Sequence, residues 1–200
     1  AYYRDDNRAL LQSYRVETTP GTQFEYQGGN TMLLAELLDV VRDGNLSQDI
    51  AQNLWEQMGA EHDAFWGLDG DPADGAVERS FAQFYATTRD FARFGQLLLD
   101  TGSWKGQQLI DRGFVERMIT PVDRLTDEVD TFWYGYQIWL GSTDDGLPFS
   151  VMEGLRGQMV ITIPALDAVV VRTGYVKGKA KKRGLPTDVF RVIDVARAML

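Results

Sequence analysis

The chain has 200 residues, of which 44% are hydrophobic and 24% charged, with a formal net charge of −9 and no cysteine. That length and balance specify a globular core and exclude disordered or collagen-like classes, while the acidity argues against nucleic acid as a partner, which wants a basic footprint. The missing thiols exclude disulfides, thiolate zinc sites and cysteine nucleophiles.

Residues 1 to 23 are polar and end in the turn cluster Thr19-Pro20-Gly21-Thr22, where proline presets φ and glycine permits its positive range. Neither there nor later does an apolar run approach the roughly 18 to 20 residues of a membrane span. Ala1 to Arg4 lacks the basic start and apolar run of a signal peptide. Any export signal therefore lies outside this chain, and the compartment, bacterial periplasm or cytoplasm, stays open.

The first helix is expected from Asn30 as its cap, with Leu33, Leu34, Leu37, Leu38, Val40 and Val41 at helical spacing and Gly44 as its stop. Ser47 opens a second through Ile50, Leu54 and Met58 to Gly59. The Asp- and Gly-rich stretch 61–76 reads as a loop with Phe65 and Trp66 tucked under. Thr87 with Asp90 makes a capping box for a third helix, whose buried stripe is Phe91, Phe94, Leu97 and Leu98 and which ends before Gly102. A fourth runs from about Asp111 to Ile119.

The period then changes from 3.6 to 2. Tyr134, Tyr136, Ile138 and Leu140 alternate with smaller or polar residues as in a half-buried strand. Strands at Gln158–Ile163 and Ala168–Thr173, joined by Pro164 to Asp167, form an antiparallel hairpin. A final helix capped by Thr187 carries Val189, Val192, Ile193, Ala196 and Met199 on one face. The order is α+β, and three strands with one helix leave edges uncovered.

The single histidine, His62, lies in a loop with no serine near it in a strained turn, so it is expected to pack or face solvent. With only one histidine, no histidine-rich metal site is possible. Another base is needed for any catalysis, and Tyr26 is the candidate, because a nearby ammonium can favour a phenolate. It sits between the Pro-Gly turn and the first helix, before Gly28 and Gly29, which would let another backbone approach. A packed loop tyrosine is the competing reading. Lys177, Lys179, Lys181, Lys182 and Arg183 concentrate five positive charges, either as a solvated loop or as an anion-docking stretch.

The stretch PGTQFEYQGGNTMLLAELL resembles the tyrosine-motif region of β-lactamase-related serine hydrolases, a superfamily that includes class C β-lactamases and penicillin-binding proteins. GAEHDAFWGLD, TTRDFARFGQLLLDTGSWKGQQLI, YGYQIWL and GLRGQMVITIPALDAVVVRTG agree with it in order and spacing, most closely in the 6-aminohexanoate-dimer hydrolase branch. The resemblance covers nearly all of the chain from Pro20 onward.

It implies an acyl-enzyme mechanism on a small amide or ester substrate with no cofactor. A serine and lysine spaced S-x-x-K attack the acyl group, a tyrosine helps relay the proton, and two backbone N–H groups hold the oxyanion. It assigns the tyrosine role to Tyr26 and the second oxyanion donor to the N–H of Leu155, and places Gly28, Gly154 and Gln158 at the substrate. None of Ser13, Ser47, Ser80, Ser103, Ser142 and Ser150 has lysine three residues on. The expectation is therefore a chain of about half the protein, inactive alone, whose partner is the missing N-terminal segment with its S-x-x-K helix and first strands.

Residues 1–130 would be a mainly helical region with the tyrosine motif, and 131–200 antiparallel strands plus the terminal helix. Two departures stand out: Met152 to Gln158 holds no lysine or histidine where the third family motif has one, and Gly28 stands where many relatives carry Asn or Ser. The alternative is a shortened, non-catalytic peptide- or cell-wall-binding relative.

Overall fold

A helix begins most readily where a side chain accepts the free N–H groups of its first turn, and three helices here do so. Asp6 accepts from Ala9 ahead of α1 (Asn7–Gln12), Thr87 from Asp90 ahead of α4 (Thr88–Leu99), and Asp111 from Phe114 ahead of α5 (Arg112–Met118). Between them lie α2 (Gly28–Val41) and α3 (Leu46–Ile50). The computed structural model describes residues 5–42, 46–122 and 133–200. The chain forms two compact units, Ala1–Ala86 and Thr87–Leu200.

In the first unit, α2 starts two residues before the expected cap. Gln27 takes the cap position without a side-chain bond, so Asn30 lies inside the helix. The expected stop, Gly44, lies outside the described residues. Gly29 and Met32 face inward, and Arg8 reaches Glu36 at 2.8 Å and Asp39 at 3.0 Å, so α1 and α2 are joined by ion pairs.

The apolar stripe read from the sequence faces outward instead. Leu33, Leu34, Leu37 and Leu38 are 41%, 51%, 63% and 51% exposed. Spacing defines a helical face, but only a packing partner decides whether it is buried.

Helix α3 continues into a π-helical turn, Ala51–Trp55, and Met58 is fully buried before Gly59 turns the chain at φ +63°. Ser47 lies inside α3, where its amide and hydroxyl donate to Glu78 Oε1 at 3.1 and 2.5 Å. Of the loop aromatics, Trp66 is half-buried and donates Nε1–H to the carbonyls of Arg79 and Ala82, whereas Phe65 is exposed.

The second unit is built on a five-stranded antiparallel sheet, in the order β1 (Trp133–Tyr134), β2 (Trp139–Ser142), β3 (Pro148–Glu153), β4 (Met159–Ile163) and β5 (Ala168–Arg172). The single strand expected through Tyr134 and Leu140 is two. At Gly135 any Cβ would lie 1.9 Å from the Met118 carbonyl oxygen, the Gly135 N–H bonds back to Ile138 at 2.9 Å, and Gln137 adopts φ +58°. Strand β3, outside the three strands read from periodicity, carries Phe149 and Val151 into the core, and those three become five.

The hairpin β4–β5 pairs in the expected place, from Met159↔Arg172 to Ile163↔Ala168. Helix α4 packs on β4 and β5. Helix α6 (Thr187–Met199) has Pro186 at its cap, with Thr187 its first residue, and puts Val189, Phe190 and Ile193 against Phe149, Val151, Ile161 and Ile163. Burying an apolar side chain of this size contributes about 1.5–3 kcal/mol. Strand β4 is buried along its whole length, so both its faces are covered.

Candidate functional site

In the first unit, residues 23–27 have no regular structure and lead straight into α2. Tyr26 is 61% exposed, two residues before the helix begins. The glycines after it are needed for close contact, though with rings and not, as expected, with another backbone. A Cβ on Gly28 would lie 3.0 Å from the Phe81 ring, and one on Gly29 would lie 2.3 Å from the Tyr14 ring. These rings seat the first turn of α2 and so fix where the chain leaves Tyr26.

His62 is exposed, and its carbonyl accepts from Trp55 Nε1 at 3.0 Å. A hollow of about 550 Å³, bordered by Asp6, Arg8, Asp69, Asp71 and Asp74, contains none of the expected site residues.

In the second unit the expected site residues Gly154, Leu155 and Gln158 lie at one end of the sheet. Strand β2 pairs with β3 only as far as Val151, while β4 pairs with it up to Glu153. Among the described residues the end of β3 thus has a ladder neighbour on one side. There the Gly154 N–H bonds to the Gln158 carbonyl at 2.8 Å, and a Cβ on Gly154 would lie 3.2 Å from Gln158 Cβ.

Leu155 then opens a single 3-10 turn, Leu155–Gly157. Its N–H is the first of that turn, where no intrahelical acceptor exists. Among the described residues no hydrogen bond from it is found, and the side chain is 65% exposed. The turn closes through two residues in the left-handed region, Arg156 at φ +60° and Gly157 at φ +84°.

Gln158, expected to touch substrate, has both ends of its amide engaged. Its Nε2 donates to the Gly174 carbonyl, and its Oε1 accepts from the Gly174 N–H at 3.0 Å. Two further contacts tie the same segments together. Arg172 donates from Nη1 to the Gly157 carbonyl at 2.5 Å and from Nη2 to the Val176 carbonyl at 2.8 Å. Lys177 Nζ meets Glu153 Oε1 at 2.5 Å.

Sequence reasoning missed Arg172, Glu153 and this use of Lys177. The signal present was a strand-end arginine two residues before a glycine, Arg172-Thr173-Gly174.

The basic run is largely occupied within the fold. Besides Lys177, Lys182 pairs with Asp144 at 2.6 Å, and Arg183 donates to the carbonyls of Ser142 and Thr143 at 2.8 and 3.0 Å. The pairing holds the Asp144 carboxyl below its ordinary range, chiefly through the Lys182 hydrogen bond. No helix among the described residues is long and apolar enough to cross a membrane.

The sequence matches the Beta-lactamase family over residues 1–181. It is 27% identical to a 6-aminohexanoate-dimer hydrolase of Paenarthrobacter ureafaciens, over 97% of this chain and 50% of that protein. Among solved structures it is similar to a Bacillus anthracis protein described as a 6-aminohexanoate-dimer hydrolase, with TM-score 0.75, 24% identity, and coverage of 96% of this chain and 48% of the other. It is also similar to a penicillin-binding protein homologue from Caulobacter crescentus, with TM-score 0.73, 17% identity, and coverage of 97% and 63%. The chain spans about half the length of the curated relative it matches.

Proposed function

The chain belongs to the beta-lactamase family, and from that premise we propose that it is the part of a serine hydrolase that carries the proton-relay tyrosine and one oxyanion donor. Its fold class is α+β, the helix and antiparallel-strand arrangement of β-lactamase-like and penicillin-binding-protein-like structures. The Paenarthrobacter ureafaciens and Bacillus anthracis proteins are hydrolases by name. The bond cleaved is an amide or ester, through an acyl-enzyme, without a cofactor.

The observation that carries this reading is the turn after β3. It presents the Leu155 N–H, for which no acceptor is found among the described residues, at the sheet end where β3 pairs, among those residues, with β4 alone. A preorganised backbone donor of this kind stabilises the negative charge that develops on a carbonyl oxygen under attack. Gly154 keeps the strand narrow beside the scissile group, and Gln158 holds the turn through Gly174.

Tyr26 takes the serine's proton together with the lysine of the S-x-x-K pair, and Gly28 leaves the substrate side of that loop without a side chain. The serine and lysine come from sequence beyond these 200 residues, and the chain alone is inactive.

The test is Tyr26→Phe in the full-length protein. The variant keeps the ring, so turnover falls by about 10²- to 10⁴-fold, the usual contribution of a proton-transfer partner, with the melting temperature little changed. A packed loop tyrosine would instead lose at most about 1 kcal/mol of stability and little activity. That result removes Tyr26 from the mechanism.

The segment Met152 to Gln158 has neither lysine nor histidine, a departure that argues against penicillin recognition more than against hydrolysis; the non-catalytic alternative rests on the absence of an S-x-x-K pair from these 200 residues. A full-length protein that binds peptide or cell-wall material and turns over no ester or amide would establish it.

A further inference from the structure

Arg172 is the last residue of β5, and its guanidinium lies between two glycines on separate segments. A Cβ on Gly157 would lie 1.9 Å from Nη1, and one on Gly174 would lie 3.2 Å from Cζ. Two positions that could have carried side chains are therefore empty where the planar group sits.

The guanidinium joins what lies on either side, the Gly157 carbonyl in the turn that begins with Leu155 and the Val176 carbonyl in the segment that follows β5. Gln158 with Gly174, and Lys177 with Glu153, fasten the same two segments at other points. Arg156 and Gly157 both have positive φ, a conformation that costs a non-glycine residue energy and persists only where the surroundings impose it.

We propose that Arg172 is a positioning residue, the strut that holds the 154–158 turn in the shape that presents the Leu155 N–H to substrate. This rests on the hydrolase reading above, because it gives that N–H its purpose. An arginine is suited to the task because its fork makes two directed bonds in one plane, which a lysine, a single point of charge, does not reproduce. The strut acts on the oxyanion donor and not on substrate affinity, so its loss lowers kcat and leaves KM nearly alone.

The experiment uses the full-length protein and an ester substrate, with Arg172→Ala, Arg172→Lys and added guanidinium chloride at millimolar, non-denaturing concentration. Arg172→Ala is expected to lower kcat by roughly 10- to 100-fold, short of the loss seen when an oxyanion donor is removed outright, with KM within about two-fold. Free guanidinium restores part of the loss, and Arg172→Lys is not equivalent to the wild type. A structural role alone predicts a lowered melting temperature without the split between kcat and KM.

Amide hydrogen exchange of the 153–158 segment is measured in parallel and needs no turnover. Faster exchange at Gly154 and Gln158 in Arg172→Ala, slowed again by guanidinium, supports the strut. Unchanged exchange overturns it, as does an unchanged kcat. If the wild type hydrolyses nothing, the hydrolase reading fails by itself, and the exchange measurement still decides whether Arg172 holds the turn.

Discussion

Helices α2 and α4 both carry apolar residues at helical spacing and meet opposite surroundings. In α4, Leu97 and Leu98 are buried, and Gly95 lies so close to the sheet that a Cβ there would come within 2.5 Å of Val169 and 2.9 Å of Val160. In α2, the leucines at 33, 34, 37 and 38 and the valines at 40 and 41 are exposed, and the inward side is held by Met32 and the ion pairs of Arg8. Helix α4 packs on the sheet, whereas the outer face of α2 is exposed among the described residues. Periodicity identifies both helices, and burial has to come from somewhere else.

This difference sets the order of expected effects. Leu97→Ala should lose about 2–5 kcal/mol of stability, the range for deleting a buried leucine side chain. Denaturant melts of the second unit's signal would measure it. Gly95→Val should cost about 1–3 kcal/mol through overpacking against Val160 and Val169, and a neutral result would show that α4 can move off the sheet.

On α2 the paired change Leu34→Lys and Leu37→Lys should stay within about 0.5 kcal/mol of wild type, as surface substitutions do. It should also reduce self-association of the isolated chain, since exposed apolar patches promote it. Sedimentation of the two forms at matched concentrations is the comparison. A large loss of stability in the lysine variant would mean that the outer face of α2 is covered after all.

The smallest effect is electrostatic. Hydrogen bonds from Arg197 and Thr143 lower the Asp145 carboxyl to about 2. A depressed carboxylate favours the folded state above its unfolded pKa of about 3.9, and that contribution is lost as the pH falls towards 2. Asp145→Asn should therefore flatten the acid limb of the stability curve only between about pH 4 and 2, and added salt should shrink the difference because the pair is exposed. An unchanged acid limb would show that the pair contributes nothing to folding.

Much of the helical architecture was legible because caps are local. Thr87 with Asp90, and Asp111 before α5, act through side chains within three residues of the helix start. The strands were harder to read for physical reasons. The alternation through Tyr134 and Leu140 continues across a tight turn, and only the crowding of Gly135 by Met118 reveals the break. Strand β3 is interrupted by Ser150, which reads as polar but is buried with its hydroxyl 2.5 Å from Thr162.

Gly154 and Leu155, the residues the motif names, stand where β3 ends and the 3-10 turn opens. The contacts of Gln158 and Arg172 could not be read from the motif, because they join the 154–158 turn to the end of β5 and the segment after it, which only the tertiary fold brings opposite.

The central claim is that the nucleophile lies outside these 200 residues while the tyrosine and one oxyanion donor lie within them. The most direct measurement is fluorophosphonate labelling of the full-length protein, with the modified peptide identified by mass spectrometry. A single labelled serine outside this chain, with lysine three residues on, is the predicted result, and the chain alone should remain unlabelled. Stoichiometric modification of Ser13, Ser47, Ser80, Ser103, Ser142 or Ser150, or no labelling of the full-length protein at all, would contradict it.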